Sequence, residues 1–215
     1  MKGLIYKDLC ISLRATKYVL VIAPILLFLA MAIIALGLGA EPAMYMIPTI
    51  FCTLIGVCMM LTTAGQDEAS NWLKQGFMMT VTRMECYHAK LLLHLLCTGC
   101  TAVIGVTVSM LSALVFGDMS LTTAGFIFGA AGGMCLLSMV IGIWINALII
   151  RFGIQKASAM CMMVFFFFQF LALSGLMESL LSQQYRIIIS IGVIVTLLTV
   201  LMYCLGRKWM QEKEV

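Results

Sequence analysis

The chain has 215 residues, 63% of them hydrophobic and only 10% charged, with a net charge of +4. Soluble domains are roughly half apolar and about a quarter charged, so this composition excludes an ordinary soluble globular domain and indicates an integral membrane protein. The excess positive charge reads as membrane orientation, not as nucleic-acid binding.

The leader "MKGLIYKDLCISLRATK" (1–17) is helix-compatible but charged. At 100° per residue Ile5, Tyr6, Leu9 and Leu13 gather on one side, with Lys7 and Arg14 opposite. Two readings stay open: an interfacial helix on the inner leaflet, or a solvated basic leader that serves topology only. A membrane helix needs about 20 apolar residues to cross roughly 30 Å of hydrocarbon, and windows of that kind fall at 18–38, 47–66, 91–115, 121–150, 158–177 and 187–206. The runs are continuous and do not alternate, so the expected fold is all-α with six transmembrane helices, not a barrel. The first window is not read as a signal peptide, because its leader and its apolar stretch are both too long.

In the fourth window Gly125, Gly129 and Gly133 recur at four-residue spacing, a small-residue face expected to permit close helix packing within the chain. Asn146 and, within "FFFFQF" of the fifth window, Gln169 are each expected to make an interhelical hydrogen bond of about 0.6–2 kcal/mol. With six spans both termini share a side. Placing them inside puts Lys2, Lys7, Arg14, Lys17, Lys74, Arg83, Lys90, Arg151, Lys156, Arg207, Lys208 and Lys213 in the cytoplasm and leaves only Arg186 outside. That asymmetry predicts cytoplasmic termini. The loops left outside are short, so a single domain spanning 1–215 is expected.

Several chemistries have no motif to carry them. No GxxxxGK[ST] phosphate loop and no HExxH occurs. The carboxylates avoid the middle of the spans, which disfavours a proton- or sodium-driven carrier. The nine cysteines suggest no disulfide framework, and Cys97 and Cys100 of "CTGC" read as packing thiols, since a metal site would need a second ligand pair. His94 is expected to be packed and hydrogen-bonded.

The largest polar insert, "DEASNWLKQGFMMTVTRMECYHAK" (67–90), holds Trp72, Phe77, Met78 and Met79 rimmed by Asp67, Glu68 and Lys74. Apolar side chains beside charges suit a partner-docking element. A loop that only turns the chain, with Trp72 anchored at the headgroups, fits the same residues.

The insert resembles the signature of the ABC type 2 permeases, small six-span membrane subunits that include peptide-exporter permeases. That pattern runs from an acidic pair through a Trp and "LPvsR" to "xEivxaKy". Asp67 and Glu68 match the pair, Trp72 the aromatic, Val81, Thr82 and Arg83 the end of the middle run, and Glu85, Ala89 and Lys90 the last. Thr80 stands where the family has Pro, and Leu91 where it has an aromatic. Gly3, Leu4, Lys7, Asp8 and Leu9 fit the family's opening "GLxxKDL".

The resemblance implies a permease without its own ATP site, paired with a second permease, identical or related, and with two separate ABC ATPase subunits that hold ATP and magnesium. It makes 67–90 the coupling loop, with Asp67, Glu68, Trp72, Lys74, Phe77, Arg83, Glu85 and Lys90 as candidate ATPase-coupling residues. It makes 1–17 an elbow helix carrying Lys7, Asp8 and Leu9. It further implies a bacterial cell-membrane location and export of an amphipathic or hydrophobic cargo such as a peptide, lipid or drug; the alternative is a membrane anchor or sensor that holds a cytosolic partner. Driving a two-state equilibrium from 1:99 to 99:1 takes about 5.5 kcal/mol, whereas an exposed ion pair contributes about 0–1 kcal/mol, so docking is expected to rest on buried anchors such as Trp72 and Phe77.

Overall fold

Five long helices carry the chain in a computed structural model that describes residues 2–38, 42–70, 82–116, 119–160 and 185–212. They are α1 (Lys2–Leu38), α2 (Ile47–Ala69), α3 (Arg83–Phe116), α4 (Leu121–Phe152) and α5 (Tyr185–Glu212), with a 3₁₀ turn at Pro42–Met46 and a helical stretch at 154–160. Among the described residues there is no strand. Four helical segments, Gly3–Leu36, Met44–Ala69, Arg83–Phe116 and Leu121–Phe152, are long and apolar enough to cross a bilayer. These contain the second, third and fourth expected spans and all but the last two residues of the first. The sixth expected span lies within α5, and the fifth, with Gln169, falls outside the described residues apart from 158–160.

The leader is helical and continuous with the first expected span: α1 runs unbroken for 37 residues, about 55 Å at 1.5 Å per residue. That exceeds the hydrocarbon thickness by about 25 Å, the length of the charged leader. Its buried side is not the apolar one. Leu4, Asp8, Ser12 and Thr16, four residues apart, are buried, and Asp8, only 3% exposed, pairs with Lys7 at 3.0 Å. Tyr6 is 71% and Leu13 45% exposed, while Leu9 is half-buried. The physical reason is close packing. Ser12 Oγ donates to the Met59 carbonyl of α2 at 3.4 Å, and Ile5, Leu9 and Leu20 rest on Met59, Leu93 and Cys97. The short side chains of Asp8, Ser12 and Thr16 let the helix approach where Tyr would hold it off.

The described residues form two units, each with its own packing. The first comprises Met1–Gln66 and His88–Gly142. Its α2–α3 seam is lined by small residues. A Cβ on Gly56 would lie 2.8 Å from Thr98 Cα, and one on Gly105 would lie 2.8 Å from Thr49 Cα. Thr49 and Ser109 share a hydrogen bond across the seam at 2.8 Å. Other hydroxyls turn back onto their own helices: Thr53 donates to the Thr49 carbonyl, Thr63 to Met60 and Thr101 to Cys97. These hydroxyls are thereby satisfied without water, as a membrane interior favours. At one end Met31, Tyr45, Ala113 and Ile127 form a buried cluster, with Phe28 and Phe116 5.4 Å apart. Ser120 caps the start of α4 by accepting from the Thr123 amide at 3.2 Å.

Among the described residues, the close contact on α4 does not fall on the glycine stripe. No described residue comes within 4 Å of a Cβ built on Gly125, Gly129 or Gly133. The close contact on α4 is Gly142, whose missing side chain leaves room for the His94 ring, while His94 Nε2 donates to the Ser138 carbonyl at 2.8 Å. Cys97 is buried with Met59 and Leu93, and Cys100 is exposed.

This packing predicts that Gly142→Ala, which drives a methyl into the imidazole, destabilises the chain by about 1–3 kcal/mol, the usual cost of overpacking. Gly129→Ala is expected to leave stability nearly unchanged. Thermal unfolding of the two variants in detergent checks the contrast.

Candidate functional site

The polar insert and the C-terminal helices belong to the second unit, Asp67–Tyr87 with Ile143–Val215. Within it both flanks of the insert close onto backbone groups of other elements. Trp72, Lys74 and Phe77, together with Met78, Met79, Thr80 and Val81, lie outside the described residues.

The N-terminal flank is the last turn of α2. Asp67 is buried there and Glu68 is exposed. Glu68 Oε2 accepts a hydrogen bond from the Ile154 amide at 2.8 Å. Ile154 follows Gly153, the one residue between α4 and the helical stretch 154–160 that is not helical. Gly153 has φ of +80°, in the left-handed region where a Cβ collides with the following carbonyl, so glycine is the residue that turns the chain there at little cost. Its amide still donates to Ile149, and its carbonyl accepts from Ala157. One residue therefore joins two helices with almost no loss of backbone bonding. A Cβ at 153 would sit 3.3 Å from Glu68 Oε1, tighter than an ordinary contact. The carboxylate's approach depends on that position being bare.

The C-terminal flank is the first turn of α3. Thr82 and Glu85 form a reciprocal cap: Thr82 Oγ1 accepts from the Glu85 amide at 3.2 Å, and Glu85 Oε2 accepts from the Thr82 amide at 3.0 Å and its hydroxyl at 2.8 Å. Arg83 Nη1 donates to the Gln211 carbonyl near the end of α5 at 2.7 Å. Glu85 thus holds its own helix start, while Arg83 reaches another helix.

Behind these contacts lies a buried aromatic centre. Tyr87, fully buried, meets Tyr203 with ring centroids 5.8 Å apart and fills the space that Gly206 leaves open. Asn146 Nδ2 approaches the Tyr87 carbonyl at 3.5 Å, a long form of the expected interhelical bond. Trp144 Nε1 donates to Thr199 Oγ1 at 3.3 Å, and the Arg151 guanidinium lies 5.8 Å from the Trp209 ring centroid. These contacts join α3, α4 and α5. Lys90 is half-buried on α3, about two turns beyond Arg83.

Of the candidate coupling residues, Glu68, Arg83 and Glu85 lie at the insert's margins and Lys90 lies further along α3. Gly153, Ile154, Gln211 and Tyr87 escaped the sequence reading. A signal existed for two features: T-x-x-E at 82–85 is a capping box, and a glycine just after Arg151 marks a helix end.

Several long apolar helices, with the flanks of a polar insert held to the backbone of other helices, give the chain the character of a multi-span membrane protein. The chain belongs to the ABC-2 transporter family: the model of the "ABC-2 family transporter protein" matches residues 3–211. It is therefore a membrane protein of the transport-permease class, and membership implies association with an ABC ATPase. No curated protein and no solved structure matches the chain.

Two substitutions test this geometry. Gly153→Ala places an L side chain at φ of +80° and beside Glu68, and should cost about 1–2 kcal/mol of stability. Thr82→Ala removes one half of the cap and should cost about 1 kcal/mol, seen as faster amide exchange in the first turn of α3.

Proposed function

We propose that the chain is the transmembrane subunit of an ATP-driven exporter, with no ATP site of its own. It has six spans and cytoplasmic termini in a bacterial cell membrane, and works with a second permease, identical or related, and with two ATPase subunits that bind ATP and magnesium. Residues 67–90 form the coupling loop, and Trp72 and Phe77 are its docking anchors. Nucleotide closes the ATPase pair, the docked loops move, and the paired permeases open a path for an amphipathic or hydrophobic cargo such as a peptide, lipid or drug.

The observation that supports this reading most directly is the bracing of the insert at both ends, by Glu68 on Ile154 and by Arg83 on Gln211, in a chain of the ABC-2 family. A loop that only reversed the chain would need no such bracing. A loop that receives force does, because an untethered element absorbs displacement as local fraying.

The test is a mild-detergent pull-down of the tagged chain, with any bound partner scored for ATP hydrolysis. An ATPase is expected with the wild-type chain, and Trp72→Ala should lower its recovery by about tenfold or more, the loss of one buried aromatic anchor of about 2 kcal/mol. Recovery of a partner without ATPase activity, with the fold preserved, would favour an anchor or sensor.

A further inference from the structure

Glu68 and its neighbour define the motif by which the family was recognised, and such residues would ordinarily be assigned to the ATPase surface. The geometry points to a different role. We propose that Glu68 is a positioning residue that links the docking insert to the helix following α4, with Gly153 as the pivot, and that it acts inside the chain and not on the ATPase. The inference rests on the exporter reading and adds the route by which docking motion leaves the insert.

Three observations carry it. First, the Glu68 carboxylate, in the last turn of α2, is engaged: it accepts from the Ile154 amide at 2.8 Å. Displacement of the end of α2 therefore acts on residue 154 through a single side chain. Second, the chain on the two sides of Gly153 is held by different elements. On the α4 side, Asn146 reaches the Tyr87 carbonyl, Trp144 bonds Thr199 and Arg151 stacks on Trp209, which ties α4 to α3 and α5. On the other side, Ile154 is bonded to α2. Third, Gly153 alone interrupts the helical backbone between them, at φ of +80°, and no Cβ restricts its rotation. Motion of α2 relative to α3 and α5 is then absorbed at Gly153 and reorients the segment beginning at 154. Hinges of this kind are confined to one or a few residues that absorb the backbone change while the flanking elements stay rigid.

The contact is directional. A carboxylate on a backbone amide is a charge-assisted bond of defined geometry, and it differs in consequence from a surface ion pair whose partners can both swing away. Aspartate at 68 is one methylene shorter and would not span the distance, whereas glutamine keeps an oxygen that accepts from the same amide.

The experiment is amide exchange by mass spectrometry on the full chain with its co-purified ATPase in nanodiscs, following peptides that cover 154–160, with and without ATP and vanadate. In the wild type, trapping is expected to change exchange there by about fivefold or more, the lower end of ordinary coupling between sites. In Glu68→Ala, basal exchange at the start of this segment should rise by about fivefold and the nucleotide response should disappear, while ATPase recovery stays within about twofold of wild type. Glu68→Gln should retain most of the response. If Glu68→Ala does not fold, Glu68→Asp is measured in its place with the same expectations. Loss of the ATPase from Glu68→Ala would make Glu68 a docking contact and overturn the proposal. So would unchanged basal exchange, or a nucleotide response equal to wild type. If the wild-type chain recovers no ATPase, the exporter reading fails and the transmitting role with it, while basal exchange still reports separately whether the Glu68 contact exists.

Discussion

A polar group in hydrocarbon has no water as an alternative partner, and leaving one unpaired costs several kcal/mol, so every helix must complete its own hydrogen bonding before it can pack. That constraint accounts for the first unit. Thr53, Thr63 and Thr101 return their hydroxyls to carbonyls one turn back, and Thr49 and Ser109 pair with each other. Once so satisfied, small polar residues serve as spacers that let backbones come close, which is why Gly56 and Gly105 lie directly against the facing helix. Without hydrophobic contrast between lipid tails and side chains, close approach and van der Waals contact are what remain to hold helices together.

The second unit works by other rules. Its charged side chains bind backbone of other elements, Glu68 an amide and Arg83 a carbonyl, while Thr82 and Glu85 close the first turn of α3. Charged groups are used there to bind main chain, and main chain cannot move without moving its helix. The aromatic pair Tyr87 and Tyr203 and the notch at Gly206 fill the space behind them with rigid rings. Stiffness suits an element through which displacement is passed on.

The spans were legible because length and unbroken apolarity are strong signals: windows at 18–38, 47–66, 91–115 and 121–150 fall inside α1, α2, α3 and α4. The faces were not. In a soluble protein the apolar side of a helix is the buried side, so periodicity reveals packing. Here lipid accepts exposed apolar side chains such as Leu29 and Ile33 as well as a core would, and the buried face of the leader is the row Leu4, Asp8, Ser12 and Thr16. The same loss of contrast separates regular glycine spacing from close contact among the described residues. The repeat at Gly125, Gly129 and Gly133 is regular but meets no described neighbour, whereas isolated Gly142 accommodates a histidine. Of the site, the polar insert was visible as a break in hydropathy. Its attachments were not, because Glu68 to Ile154 spans 86 positions and Arg83 to Gln211 spans 128, and both acceptor and donor groups on the far side are backbone, which carries no sequence signature.

That last point bears on how a loop of modest polarity can serve a large conformational change. Nothing in the insert's margins supplies about 5.5 kcal/mol, the differential binding needed to invert a two-state population. In the proposed cycle that energy enters from nucleotide binding on the partner, and the margins need only survive the motion. A carboxylate-to-amide bond and a guanidinium-to-carbonyl bond meet the lesser requirement, since each need only be stiffer than the joint it drives. Gly153, with φ of +80° and no side chain, is the non-helical residue between α4 and the stretch 154–160, and it lies one residue from the Glu68 contact. Displacement follows the path of least resistance, so the placement of one rigid contact beside one compliant residue determines where the chain bends.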